Sequence, residues 1–220
     1  MSVVRGLAIA LTMMAIAACT TPAAETLPEA PPIVAEPPVD QDWRRIALAE
    51  DVARIDGLAA AWQRGLSEAR SRGFAAAITA AGPLLNPASG LPRAEPPPGP
   101  YRCRVTRLGS GPRRRALTVY PVYFCHVVVE RDSLAFAKQD GDARPGGYLF
   151  ADDNNRMIFL GATAEGREAV PPAYGANAAR NLVGVAERIG PLRYRIAFPS
   201  PGNGVVLDVL ELVPSPTPLE

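Results

Sequence analysis

Histidine occurs once in these 220 residues, at His126, and cysteine three times, at Cys19, Cys103 and Cys125. So few soft ligands do not make a zinc site, and without a C-x-x-C spacing the cysteines do not form a redox motif. No phosphate-binding fingerprint is present: the glycine-bearing stretch from Phe136 to Tyr148 lacks the G-x-x-x-x-G-K-[ST] spacing, and no helix pattern follows it. A charge excess is missing too, because 23 basic residues stand against 22 acidic ones and Arg5 alone of these precedes Cys19. Nucleic-acid-binding domains carry a clear basic excess, so that class is excluded. Nothing in the composition implies a cofactor.

What is present begins at the N-terminus. Arg5 is followed by an apolar stretch from Gly6 to Ala18 and by the small-residue run Ile16-Ala17-Ala18-Cys19, which Thr20, Thr21 and Pro22 stop. A spanning helix needs about 20 apolar residues, so this run does not cross a bilayer. Its layout resembles a bacterial lipoprotein signal. That resemblance implies cleavage after Ala18 and lipidation of Cys19, with residues 1–18 removed; an ordinary secreted protein cut after Ala17 is the alternative. With Thr20 after the cysteine, it also implies an outer-membrane anchor facing the periplasm. In that oxidising compartment the two remaining cysteines are expected to pair.

Residues 19–40 carry Pro22, Pro28, Pro31, Pro32, Pro37 and Pro38 among alanines and acidic residues, a composition that buries no core. They are expected to form a disordered tether, extended at about 3.1 Å per residue. A single globular domain is expected over 41–214, followed by a short tail at 215–220.

Within it, helical periodicity starts after the cap Asp42. It runs through Trp43, Ile46, Val52, Ile55, Ala59, Trp62, Leu66 and Ala69, with Gly57 and Gly65 as weak points. A second helix spans 74–81 and is closed by Gly82-Pro83. The helical part is thus 41–82, and a proline-rich connection fills 83–100. From Tyr101 the period changes to two. Strands are expected near 101–108, 117–130, 133–139, 147–151, 156–163, 182–190, 192–198 and 205–213, separated by turn residues such as Arg131-Asp132 and Pro201-Gly202-Asn203-Gly204. The fold class is therefore α+β, with N-terminal helices packed on a small antiparallel meander barrel of about eight strands, closed by pairing the last strand with the first.

Cys103 and Cys125 share the apolar face of consecutive strands. If they face each other directly, Val105 faces Tyr123, Tyr101 faces Val127, and the turn centres on Arg114. Arg113, Arg114 and Arg115 at that tip offer contacts to an anion or an acidic partner, or form a solvated loop. The loop after Phe136 could shape an anion site with Lys138 and Arg144, or use those side chains to hold its own carbonyls. His126 reads as a wall histidine without a nucleophile or orienting carboxylate, and Asp152 and Asp153 read as turn residues.

The ordered series Asp42-Trp43-Arg44-Arg45-Ile46, Tyr101-Arg102-Cys103-Arg104-Val105, Arg156-Met157-Ile158-Phe159-Leu160-Gly161, Val185-Ala186-Glu187-Arg188-Ile189-Gly190-Pro191 and Leu207-Asp208-Val209-Leu210-Glu211-Leu212-Val213-Pro214 resembles a bacterial family, the domain of unknown function numbered 4893. The resemblance spans about 42–214 and implies no catalytic residues. The functional expectation is a non-enzymatic envelope lipoprotein that binds a protein or small-molecule partner, as an inhibitor-like module or a carrier. An envelope hydrolase and an assembly factor are the alternatives.

Overall fold

The computed structural model describes residues 40–109 and 114–216. The expected signal segment, Cys19 and most of the expected tether lie outside the described residues, as does Arg113. Four helices come first: α1 (Trp43–Ile46), α2 (Ala49–Asp56), α3 (Leu58–Ser71) and α4 (Ala75–Ala81), the last running into a 3-10 turn at Gly82–Leu85. Eight strands follow: β1 (Gly99–Leu108), β2 (Leu117–Glu130), β3 (Ser133–Lys138), β4 (Ala143–Asp153), β5 (Arg156–Glu165), β6 (Asn181–Gly190), β7 (Arg193–Gly202) and β8 (Val205–Pro214). Each pairs antiparallel with the next, and β8 pairs with β1, so the sheet closes as a meander barrel and leaves no edge exposed.

The helical stretch is broken where one apolar stripe is expected to run on. The chain is extended at Leu48, whose N–H donates to the Tyr174 hydroxyl, and it bends again at Gly57. The breaks have a cause: the stripe must follow a curved barrel wall. Trp43 docks on the outer face of β4 and donates its indole N–H to Asp152 at 2.8 Å, while α2 and α3 reach β6, β7, β8 and β1. Gly65 does not interrupt α3; it lies where that helix touches Leu108 of β1.

Turn chemistry sets most strand ends. Arg131 and Asp132 both have positive φ, 45° and 68°, as a two-residue hairpin requires, and Asn203-Gly204 does the same between β7 and β8. Strand β4 starts at Ala143, earlier than its hydrophobic pattern indicates. Its first residues pair only with β5, and Pro145, which has no N–H, falls in that segment before pairing with β3 begins at Gly146.

The first hairpin differs from the direct-facing arrangement. Tyr101 opposes Cys125, Cys103 opposes Tyr123 and Leu108 opposes Leu117, so the two cysteines are diagonal neighbours and the register is not the one centred on Arg114. Alternating polarity tolerates any slip of two residues, so it could not choose this register. The disulfide between Cys103 and Cys125 forms nonetheless, with Cα atoms 5.9 Å apart. Further along, the register shifts at Val105, opposite Tyr120 and Pro121.

Two layers of packing result. Inside, Tyr101, the disulfide, Phe136, Phe159, Met157, Tyr194 and Ile196 fill the barrel toward one end. Phe136, Phe159 and Phe198 stack edge to face, with centroids 5.9 and 5.5 Å apart. Their rings need the glycines beside them: a Cβ on Gly161 would lie 2.6 Å from the Phe159 ring, and one on Gly184 would lie 2.7 Å from the Phe198 ring. Outside, Trp62, Leu66 and Ile78 cover Leu207 and Val209, while Trp43 and Ile55 cover Tyr148, Ile158 and Val183.

Alternation places Arg195 among outward polar residues, but the helices cover that face and the side chain is fully buried. Its guanidinium donates to Glu187 and to the carbonyls of Pro83, Leu84, Asn86 and Pro87, and it lies 5.0 Å from the centre of the Trp62 ring. From there the proline segment crosses the filled end of the barrel. The Leu91 N–H donates to the Arg188 carbonyl and the Arg93 N–H to the Asn154 carbonyl, each at 2.8 Å, and the Tyr101 hydroxyl donates to the Pro97 carbonyl at 2.6 Å. Ala94 packs into the interior cluster. The barrel is a cup with a strap across its base.

Replacing both cysteines, Cys103→Ala with Cys125→Ala, should lower unfolding stability by about 3 kcal/mol through loss of the covalent loop. Arg195→Met, which leaves the Glu187 carboxylate unpaired beneath the helices, should cost about 3–5 kcal/mol. Urea titration followed by tryptophan fluorescence measures both.

Candidate functional site

At the end opposite the strap the inward side chains stop being uniformly apolar, and a cavity of about 540 Å³ opens. Phe198, Leu182, Leu210 and Val105 form its lower wall. Above them the inward alternation of β8, Leu212 then Leu210, continues with Asp208, while that of β1, Tyr101, Cys103 and Val105, continues with Arg107. These two residues are direct cross-strand partners. The guanidinium grips the carboxylate with two parallel bonds, Nε to Oδ1 and Nη2 to Oδ2, both 2.7 Å. It also lies 5.3 Å from the centre of the Tyr120 ring. The Asp208 hydrogen bond raises the Arg107 pKa above its ordinary value, outweighing the opposing effect of burial.

Lys138, the only lysine in the chain, ends β3 on the inward face. Its ammonium donates to the Asp140 carbonyl at 2.6 Å and the Ala143 carbonyl at 2.9 Å, and sits 3.7 Å from the centre of the Tyr123 ring. Burial pushes its pKa down, with nearby Asp140 pulling the other way. Two N–H groups are thus spent on turning the β3–β4 loop.

The rim is held by charges on the long loops. Arg180 pairs with Glu168 and donates from Nε to the Thr163 carbonyl at 3.0 Å. With the Arg180 hydrogen bond as the main cause and the Glu165 N–H as the next, the Glu168 carboxyl is held down at about 2. Arg144 donates to the carbonyls of Gly141, Gly166 and Glu168, so it fastens the β3–β4 loop to the β5–β6 loop.

Of the side chains singled out for anion or partner contact, Lys138 lines this cavity and Arg144 does not. Arg114 and Arg115 are exposed, and Arg115 turns toward the Phe74 ring, 5.7 Å away. His126 is half-buried on the outer face of β2, opposite Pro100 and Ala137, and does not line the cavity. Asp153 serves its turn by accepting the N–H groups of Asn155 and Arg156, but Asp152 does more than turn chemistry asks. It receives hydrogen bonds from Trp43, Arg44 and Arg156, which outweigh its burial and lower its pKa. Among the described residues no cluster of three or more His, Cys, Asp or Glu side chains could hold a metal ion. A second depression, along α3 beside Pro87, is a helix-surface groove in which no ion pair converges.

The barrel, its helical jacket and the paired cysteines run through one continuous stretch, and a family model matches residues 43–212 of it. The chain belongs to that family, described as Domain of unknown function (DUF4893). No curated protein and no solved structure matches it. The family description assigns no chemistry, so the mouth must be read from its own residues.

Arg107, Asp208 and Tyr120 were not singled out from the pattern, although a signal existed: both charged residues hold inward parity in strands otherwise apolar on that side. The sole lysine also offers a direct reporter. Labelled with ¹⁵N-lysine, the protein should give one ammonium resonance, losing its proton at a pH below the ordinary 10.5 because folding buries the charged form. Unfolding in urea should return it to the ordinary value.

Proposed function

We propose that this chain is a lipid-anchored module of the bacterial envelope, facing the periplasm, that binds a small polar molecule in the mouth of its barrel without transforming it. The observation that carries the binding reading is the cup itself. The base is strapped and filled, whereas the opposite end holds a cavity of about 540 Å³ rimmed by fastened loops. Ligand sites of roughly 300–1,000 Å³ with a few convergent polar groups on an apolar wall are the usual form of a small-molecule site. A carrier of long acyl chains fits poorly, because Tyr101, Phe136 and Phe159 occupy the space below the floor.

The anchor reading rests on the Ile16-Ala17-Ala18-Cys19 run and on the disulfide, which suits an oxidising compartment. Cys19→Ser should move the chain from the membrane pellet to the soluble periplasmic fraction, and continued sedimentation with membranes would count against the anchor. For the binding reading, the purified full chain is equilibrated with a soluble envelope extract and examined by native mass spectrometry. A small molecule should stay on the wild type and be lost from Leu210→Trp, which fills the cavity; equal spectra for the two would refute a ligand site at the mouth.

A further inference from the structure

We propose that the mouth takes an uncharged, hydroxyl-rich ligand, a free or terminal saccharide, an assignment that rests on the binding reading above and names its substrate class. Charge decides first. The ionised side chains lining the cavity are Arg107, Lys138 and Arg180 against Asp142, Glu165 and Asp208, so the signs balance. Arg107 is already bidentate on Asp208, Arg180 is paired with Glu168, and the Lys138 ammonium is occupied by two carbonyls. Among the described residues lining the cavity, an anion meets the Asp208 carboxylate and, of the cations, only the third N–H of a Lys138 ammonium already bound to two carbonyls. An acyl chain would strip water from the Arg107–Asp208 pair and return no hydrogen bond.

A sugar hydroxyl both donates and accepts, and the paired guanidinium and carboxylate offer fixed groups of both kinds side by side. Each Asp208 oxygen keeps a lone pair beyond the one Arg107 uses. The apolar and aromatic part of the wall, Phe198 and Leu210 below with Tyr120 and Tyr123 beside the charged groups, suits the C–H face of a pyranose ring. The pair also needs a reason to be there. Apolar replacements of buried ion pairs are often no less stable, so an inward pair at the one end left unfilled is what recognition would retain.

The Lys138 ammonium resonance of the full-length, ¹⁵N-lysine-labelled chain in detergent reads occupancy. The probes are glucose, maltose, N-acetylglucosamine and its β-1,4 dimer, with inorganic phosphate and decanoate as the contrasting classes. Saturable shifts with at least one neutral sugar and none with phosphate or decanoate are expected. A dimer that binds more tightly than its monomer indicates a chain end, and the reverse a free sugar; either supports the assignment. The double variant R107M/D208L should keep its melting temperature and weaken sugar binding about tenfold. Tyr120→Ala, a partly exposed position that tests the same wall if the double variant does not fold, should weaken it about fivefold. Shifts with phosphate or decanoate but not with sugars overturn the saccharide assignment and leave a binding site standing. No shift with any probe overturns it as well, and the envelope-extract comparison then decides separately whether the mouth binds anything. Unchanged sugar affinity in both variants overturns the placement of the site.

Discussion

The buried guanidinium of Arg195 is the joint on which the assembly depends. It sits on the outer face of β7, fully excluded from water, and its fork of donors is shared between one carboxylate and the carbonyls at the end of the helical segment. A charge in that position is tolerable only because its donors are met, and a lysine, with three donors on a point charge, could not match the fork. The same bonds fix where the 3-10 turn ends and therefore where the proline segment begins its path across the base. The chain from the helices to β1 is tied to the barrel by a polar knot beneath Trp62 as well as by apolar contact.

That knot lets the two ends of one barrel differ. At the base, edge-to-face rings, neighbouring glycines and the disulfide fill the interior, and the strap adds Ala94 to the same cluster. At the mouth an open cavity remains, and the inward positions of β1, β3 and β8 carry Arg107, Lys138 and Asp208. Arg107 and Asp208 neutralise each other and the Lys138 ammonium is bound by two carbonyls; among the described residues, no buried side-chain donor or acceptor lacks a partner.

Much of this was legible along the chain. Eight strands and their order followed from period-two alternation and from turn residues, because a half-buried strand writes its burial directly into its sequence. The Cys103–Cys125 link followed from shared parity, but the register did not, since parity is blind to a slip of two. Arg195 draws no notice in the sequence and Asp152 reads as a turn residue, because neither alternation nor turn chemistry shows what packs on an outer face, and here Trp62 and Trp43 do. Leu48 and Gly57 became breaks because the helical stripe, continuous on paper, has to bend around a cylinder.

By itself, the sequence determined the class of each element, the closed meander and the residues able to join by a disulfide, since these depend on local propensity and alternation. It also carries the Cys19 motif from which an envelope address is proposed. Only the tertiary structure decided which end of the barrel is filled, which outward arginine is buried, and that Arg107, Lys138 and Asp208 meet around one cavity. Those outcomes rest on contacts between residues as far apart as β1 and β8, and distance through space is set by how the sheet closes, a property no single stretch of chain contains.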